Sequence, residues 1–182
     1  MAAVLVDGPE TAAKSFLFAH GAGAPMDSPF MRRVAEGIAA SGVRVIRFEF
    51  PYMQRRRETG KGGGPDPPRI LMQSFREMID SQGGGRRLMI GGKSMGGRIA
   101  TMVADDAAAL GVVCLGYPFH PPGKLEKTRT GHLETLRTPV LILQGTRDSF
   151  GRPEEVAGYK LSPAIRIEWL DDGDHSFKPR AR

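Results

Sequence analysis

Residues 88–104 read Leu-Met-Ile-Gly-Gly-Lys-Ser-Met-Gly-Gly-Arg-Ile-Ala-Thr-Met-Val-Ala. The apolar start of this stretch, residues 88–90, predicts a buried strand, and residues 98–104 predict a helix. Between them, Gly92-Lys93-Ser94-Met95-Gly96 matches the G-x-S-x-G pattern of a nucleophile elbow, whose glycines permit the sharp turn that exposes the serine. A chain this rich in glycine contains the pattern by accident about one time in ten. Its position between a strand and a helix therefore carries the prediction.

An acid and a histidine follow in the order that α/β-hydrolases use, which is serine, acid, histidine. An apolar strand predicted at 139–145 leads to Asp148, and an alternating strand predicted at 165–170 leads to His175. Open α/β sheets gather their sites at the carboxyl ends of their strands. We therefore predict Ser94 as the nucleophile, His175 as the general base, and Asp148 as the acid that orients the imidazole.

A loop of small residues near the N-terminus supplies a fourth element. The apolar strand predicted at 15–19 is followed by His20-Gly21-Ala22-Gly23-Ala24-Pro25. Small residues let the backbone approach a substrate, so the N–H groups of Ala22 and Met95 are the predicted oxyanion hole. His20 is a rival base by residue type. Because it precedes the nucleophile in the chain, we expect it to shape the loop instead.

These motifs resemble one family, the small dienelactone-hydrolase-like α/β-hydrolases related to the testis-expressed 30 proteins and to a subunit of a chromatin acetyltransferase complex. The resemblance rests on five segments: residues 19–26, 50–53, 91–98, 145–148 and 174–177. It spans residues 15–178 and implies the fold and a serine-hydrolase triad. Dienelactone hydrolases proper carry cysteine as nucleophile where this chain has Ser94, so their lactone chemistry is not implied. The chain also ends soon after His175, where this fold usually adds a last helix.

The alternation of predicted strands and helices gives the fold class α/β. We predict a three-layer α/β-hydrolase fold with a mostly parallel sheet, helices on both faces, minimal or no lid and the last helix missing. Residues 1–182 are expected to form one domain. At the start of the chain, residues 4–6 and 16–19 flank Asp7-Gly8-Pro9, which predicts an opening hairpin. Helices are predicted at 30–40, with Asp27 or Ser28 as N-cap, from Pro68 to the glycines at 83–85, and near 153–159.

Composition indicates a cytoplasmic protein. Of the 182 residues, 40% are hydrophobic and 25% charged, and no apolar run approaches the roughly 20 residues of a membrane span. The first residues lack a basic segment followed by a long apolar one, so we expect no secretory signal. The one cysteine, Cys114, cannot form an internal disulfide, which favours a reducing compartment and a packed thiol.

Two long basic connections leave open how the net charge of +6 is used. Residues 52–67 contain Arg55-Arg56-Arg57, and residues 120–133 carry two lysines and an arginine. Both connections are predicted on the active-site side. They either attract an anionic substrate or form solvated surface, and solvated surface is the favoured interpretation. The candidate substrate-binding residues are His20, Tyr52, Arg55, Tyr117 and His120. His132 is open between the pocket and solvent.

Other functions find less support in the residues. Arginines 55–57 are the one true basic cluster and no recognition motif accompanies them, so a nucleic-acid partner is not expected. The histidines lack metal-ligand spacing, and the acidic turn 171–174 is expected to be solvated, so no metal and no cofactor are predicted. A phosphate-binding loop ending in Gly92-Lys93-Ser94 requires glycine at position 87, where the chain has arginine.

The sequence thus predicts a serine hydrolase that cleaves a small ester-like substrate through an acyl-enzyme on Ser94. The alternative is a non-catalytic interaction module on the same fold, because a fold does not imply a function. The presence of Ser94, Asp148 and His175 together favours the enzyme. The missing last helix would expose an apolar face, which can promote a homo-oligomer.

Overall fold

A seven-stranded sheet with strand order β1-β3-β2-β4-β5-β6-β7 forms the centre of the molecule, in a computed structural model that describes residues 4–181. The strands are β1 (Val4–Asp7), β2 (Ser15–Ala19), β3 (Arg44–Phe48), β4 (Leu88–Lys93), β5 (Gly111–Leu115), β6 (Val140–Gly145) and β7 (Ile165–Leu170). The helices are α1 (Pro29–Ala39), α2 (Pro51–Thr59), α3 (Pro68–Ser81), α4 (Met95–Val103) and α5 (Pro153–Val156), with 3₁₀ turns at Gly85–Arg87 and Gly131–Leu133. Strands β2 to β7 are parallel, and β1 runs antiparallel to β3. This confirms the predicted fold class.

The alternation of side chains along the central strands builds a core on each face of the sheet. In β2, Phe16 and Phe18 pack on the face that α1 covers, while Leu17 and Ala19 pack on the opposite face with α3 and α4. Successive strand residues point to opposite faces, so one apolar strand serves both cores. The buried residues of α3 are Leu71, Phe75, Met78 and Ile79, all of which belong to the second of these cores. Helices therefore lie on both faces, as predicted.

The predicted opening hairpin is wrong. Strand β1 pairs with β3, with Val4 opposite Phe48 and Asp7 opposite Val45, so β3 separates β1 from β2. The Asp7 carboxylate accepts hydrogen bonds from Nε and Nη2 of Arg47 at 2.9 and 3.1 Å. Such a bidentate contact favours β3 as the partner of β1.

The connection predicted between Tyr52 and Pro67 is in large part a helix. Phe50 is extended, Pro51 occupies the first helical turn, and α2 continues to Thr59 before Gly60 ends it with a φ of 65°. Proline is favoured at this position because its φ is already helical and the first N–H needs no partner. Only Tyr52 and Met53 of α2 are buried. The apolar pattern of this segment is therefore too weak to predict the helix from the sequence.

The remaining connections leave the carboxyl edge of the sheet open. Between β5 and β6, the described chain contains one 3₁₀ turn and no inserted helix, which agrees with the predicted lack of a lid. Helix α5 is shorter than the predicted 153–159. Residues 171–181, which follow β7, form turns and irregular backbone. Among the helices of residues 4–181, none combines the length and the apolar character needed to cross a membrane.

Candidate active site

Ser94 lies in the turn between the end of β4 and the start of α4. Its φ of 49° and ψ of −114° place a non-glycine residue in a strained conformation, which costs about 1–3 kcal/mol. The turn is possible because its neighbours lack side chains. A Cβ on Gly92 would lie 2.5 Å from the carbonyl oxygen of Ala19, and one on Gly96 would lie 2.6 Å from the same oxygen. The elbow geometry predicted from the motif is present.

The three residues predicted as a triad are joined by two hydrogen bonds. The Ser94 Oγ lies 2.9 Å from His175 Nε2, and His175 Nδ1 lies 2.7 Å from Asp148 Oδ2. Asp148 is fully buried, while the side chain of His175 is 24% exposed. An ionised carboxylate can only accept, so the pairing assigns the proton to Nδ1 and leaves Nε2 free to accept the serine proton. The arrangement can therefore deprotonate a serine hydroxyl.

Two groups that the sequence analysis missed hold the Asp148 carboxylate. The buried side chain of Gln144 donates from Nε2 to Asp148 Oδ2 at 3.0 Å, and the backbone N–H of Phe150 donates to Oδ1 at 2.9 Å. The ring of Phe150 also packs 4.3 Å from the His175 imidazole, centroid to centroid. A lone amide at the end of the apolar strand 139–145 was the available signal for Gln144. These contacts fix both the acid and the base.

Lys93 secures the turn that carries the histidine. Its Nζ donates to the backbone oxygen of His175 at 2.5 Å and lies 5.7 Å from the ring centroids of Phe30 and Phe177. Burial lowers the pKa of Lys93 to about 8, although the carboxylates of Asp148 and Asp174 act in the opposite direction.

The phosphate-loop alternative loses its basis, because Leu88–Lys93 forms strand β4 and cannot curl around a phosphate.

Two backbone donors lie beside the serine. Ala22 and Met95 line a cavity that Ser94 also lines, and within residues 4–181 neither of their N–H groups has an acceptor. Unpaired N–H groups at this place are what an oxyanion hole requires.

His20 and Tyr52 support the loop that carries Ala22. The fully buried His20 accepts from the N–H of Phe50 through Nε2 at 3.1 Å, and its Nδ1 lies 2.6 Å from the oxygen of Gly21. A ring whose Nε2 accepts a backbone N–H is neutral, and burial lowers the pKa of His20 in agreement with this. The Tyr52 hydroxyl donates to the oxygen of Ala22 at 2.9 Å. The placement of His20 matches the loop-shaping role expected for it.

The five residues predicted to bind substrate are not among those that line the two cavities at Ser94, and their role in binding stays a prediction. His20, Tyr52, Tyr117 and His120 are buried, and each is occupied by contacts inside the protein. The Tyr117 hydroxyl donates to the oxygen of Arg129 at 2.9 Å, and His120 Nε2 lies 3.1 Å from Glu155 Oε2. Arg55 pairs through Nη2 with Asp66 Oδ1 at 2.5 Å.

Three other residues that the sequence analysis considered, Asp174, His132 and Cys114, are held by hydrogen bonds or buried inside the protein. In the acidic turn, Asp174 Oδ1 accepts from the N–H groups of Lys178 and Ser176, and these hydrogen bonds lower the pKa of Asp174. His132 Nε2 lies 2.9 Å from the Thr101 hydroxyl; burial and the charge of Arg98 lower its pKa to about 4. Cys114 is buried, which raises the pKa of its thiol. Such a thiol is unreactive.

Two cavities meet at Ser94. The first has a volume of about 310 Å³ and is lined by Phe30, Met31 and His175 together with the small residues 21–24. The second has a volume of about 290 Å³ and is lined by Met95, Arg98 and Arg129 together with Asp66 and Pro118. Ala22, Ser94 and Phe150 line both. A substrate with two arms can therefore place one arm on each side of the serine.

Comparison with known proteins gives one family and one fold. A family model described as alpha/beta hydrolase domain matches residues 12–182. A dienelactone hydrolase from Anabaena variabilis is 21% identical, with a TM-score of 0.72 over 96% of this chain and 82% of its own. A serine hydrolase without a lid from Xanthomonas campestris is 20% identical, with a TM-score of 0.68 over 96% and 80%. Est1E from Butyrivibrio proteoclasticus, solved with ferulic acid bound, is 14% identical, with a TM-score of 0.70 over 96% and 87%.

Proposed function

The chain belongs to the alpha/beta hydrolase domain family, and on that premise we propose that it is a serine hydrolase that cleaves a small ester through an acyl-enzyme on Ser94. The observation that carries the proposal is the hydrogen-bonded chain from Ser94 Oγ through His175 to the buried Asp148. Nucleophile, base and orienting acid in this geometry define serine hydrolases on unrelated folds.

The first half of the reaction uses His175 as a base and then as an acid. Ser94 Oγ bonds to the ester carbonyl carbon while its proton passes to His175 Nε2. The carbonyl oxygen becomes an oxyanion, which the N–H groups of Ala22 and Met95 stabilise. The intermediate then breaks its bond to the alcohol oxygen, which takes the proton from Nε2 and leaves as the free alcohol.

The second half repeats these transfers with water. The water oxygen bonds to the acyl carbon while His175 Nε2 takes its proton. When this second intermediate collapses, the bond to Ser94 Oγ breaks and Oγ regains the proton from Nε2. Asp148 stays ionised throughout and stabilises the imidazolium. The products are a carboxylic acid and an alcohol, and no cofactor enters the proposed cycle.

Two finer expectations belong to the same proposal. The single cysteine favours a reducing compartment, so we expect the enzyme to act in the cytoplasm. The motifs resemble the testis-expressed 30 proteins more specifically than the family model requires, and this finer resemblance stays a prediction.

Hydrolysis of a series of 4-nitrophenyl esters with acyl chains from acetyl to octanoyl tests the proposal. The wild-type protein should release nitrophenolate catalytically, and Ser94→Ala should lower kcat at least about 10³-fold. Circular dichroism spectra should show that both proteins are folded. If folded wild-type protein is not more active than Ser94→Ala on any of the esters, the proposal fails and the non-catalytic interaction module becomes the better account.

A further inference from the structure

Two arginines without acidic partners lie in the second cavity at Ser94. Arg98 is on the first turn of α4, and Arg129 is on the connection between β5 and β6. Within residues 4–181, neither guanidinium lies within 4.0 Å of a carboxylate. The Nε of Arg98 is buried and has no hydrogen-bond acceptor. Half-buried arginines normally have a partner, so this pair requires an explanation.

The placement of the pair costs free energy in the unliganded protein. Arg98 is the fourth residue of α4, close to the positive end of the helix dipole, where a cation is disfavoured. Burial lowers the pKa of Arg129, and the charge of Arg98 lowers it further. Both costs would be offset by an anion bound between the two guanidinium groups.

The backbone holds both arginines in place. The N–H of Arg129 donates to the oxygen of Phe119 at 2.7 Å, and its carbonyl oxygen accepts from the Tyr117 hydroxyl at 2.9 Å. The N–H of Arg98 donates to the oxygen of Ser94 at 3.0 Å. The backbone of Arg98 is therefore fixed four residues from the serine, and anion binding has to order only the two side chains.

The other charges of this cavity leave it positive. Asp66 also lines the wall; its Oδ1 is paired with Arg55, while its Oδ2 is buried without a hydrogen-bond partner, so the lining holds two guanidinium groups and one carboxylate. His132, which the charge of Arg98 reaches, has a pKa of about 4 and is neutral near pH 7. Arg57 of α2 does not line this cavity and binds both Glu49 and Asp27.

We propose that Arg98 and Arg129 form a carboxylate-binding subsite, and that the substrates of this site are esters with an anionic arm in the second cavity and an apolar arm in the first. This inference rests on the proposed function, because it assumes that the substrate is an ester. It goes beyond it by assigning the substrate class and the residues that select it. A guanidinium matches a carboxylate with two parallel N–H···O contacts.

Two matched pairs of esters test the subsite kinetically. In the first pair the acyl arm differs, 4-nitrophenyl pentanoate against the 4-nitrophenyl monoester of glutaric acid. In the second pair the alcohol arm differs, phenyl butyrate against 4-carboxyphenyl butyrate. In at least one pair, wild-type kcat/KM should favour the anionic member roughly tenfold, because a hydrogen bond to a charged group is worth about a factor of 10 or more. Arg98→Gln and Arg129→Gln should each reduce this ratio several-fold towards one.

Two controls separate charge from geometry and from the overall field of the protein. Arg129→Lys keeps the charge but not the fork of donors, so it should restore only part of the ratio. Arg86→Gln removes an exposed charge at the opposite edge of the sheet and should leave the ratio unchanged. Equal ratios in the wild type, Arg98→Gln and Arg129→Gln would overturn the subsite while leaving the hydrolase intact.

Direct binding distinguishes failure of the subsite from failure of the hydrolase. Titration of the wild-type protein with glutarate should shift the Nε–H nuclear magnetic resonance of Arg98, and Arg129→Gln should weaken that binding several-fold. If no ester is cleaved but glutarate binds in this way, the proposed function fails and the anion subsite stands. If glutarate causes no shift at Arg98, the subsite is wrong whatever the kinetics show.

Discussion

The two sides of Ser94 differ in whether their polar groups have partners. On one side, His175, Asp148 and Gln144 form a continuous chain of hydrogen bonds. On the other side, Arg98 and Arg129 line a cavity, and neither guanidinium has a carboxylate oxygen within 4.0 Å among residues 4–181. Buried polar groups with complete partners fix the geometry of atoms that react. We take the two unpartnered arginines to be complementary to a group of the substrate, so the contrast separates the proposed chemistry from the proposed selection of substrate.

The largest expected effect comes from breaking the partnered side at its acid. Asp148→Asn should lower kcat about 10⁴-fold, because an amide at this place stabilises the wrong imidazole tautomer. The matched variant Asp174→Asn removes a carboxylate that binds only backbone N–H groups of its own turn and should retain activity within a few-fold. Steady-state kinetics of both variants decide the assignment. A nearly silent Asp148→Asn together with a crippled Asp174→Asn would reverse it.

A smaller effect should follow from removing the support behind the acid. Gln144→Met deletes the donor to Asp148 Oδ2 and the acceptor that the N–H of Tyr117 uses at 2.7 Å. Leaving such buried groups without partners should lower the free energy of unfolding by about 1–3 kcal/mol. Activity should fall less than in Asp148→Asn. Urea unfolding measures the first effect, with the exposed Gln73→Met as control; equal stability of the two variants would show that Gln144 is dispensable.

Lys93 gives the partnered side a dependence on pH. Its pKa of about 8 lies below the ordinary lysine value of 10.5, so between these values the unfolded chain binds more protons at this site than the folded protein does. The contribution of Lys93 to the free energy of unfolding therefore rises with pH across that window. The unfolding free energy of the wild type minus that of Lys93→Met should rise from pH 8 to pH 10. A flat or falling difference would contradict the buried placement of the amine.

The smallest effect on substrate selection is expected from the arginines that the sequence made prominent. Arg57 contacts Glu49 Oε1 at 2.6 Å and Asp27 Oδ1 at 2.9 Å, and the Glu49 side chain is only 3% exposed. Arg57→Gln should therefore lower the free energy of unfolding by about 1–3 kcal/mol without changing the preference between anionic and neutral esters. The ester pairs used for Arg98 and Arg129 measure this. A loss of preference as large as in Arg129→Gln would return the selecting role to α2.

The sequence predicted those features that depend on local backbone and on strand order. The glycines around Ser94 and the polar residues after β6 and β7 were sufficient for the elbow and for the order of Ser94, Asp148 and His175, and the alternation of strands and helices predicted the parallel sheet. The partner of β1 was not predictable, because β1 joins β3 through a contact between Asp7 and Arg47 that spans 40 positions. Helix α2 was not predicted, because only Tyr52 and Met53 of this helix are buried and the apolar pattern is weak.

Charge was the least predictable property of the site. Three adjacent arginines, residues 55–57, indicated a basic surface, yet Arg55 and Arg57 are paired with carboxylates from other parts of the chain. The connection that carries Arg129 was recognised as basic, but nothing in the sequence linked Arg129 with Arg98, 31 positions away, and the fold brings both to one cavity. Adjacency in sequence does not reveal which charges are neutralised in the folded protein.

The central claim, that Ser94 is an activated nucleophile, is tested most directly by covalent labelling. Incubation with a fluorophosphonate probe should add one probe mass to the protein, and digestion should locate it on the peptide that contains Ser94. Ser94→Ala should take up no probe although it folds, and Asp148→Asn should react far more slowly than the wild type. A folded wild-type protein that stays unlabelled, or a label that persists in Ser94→Ala, would contradict the account.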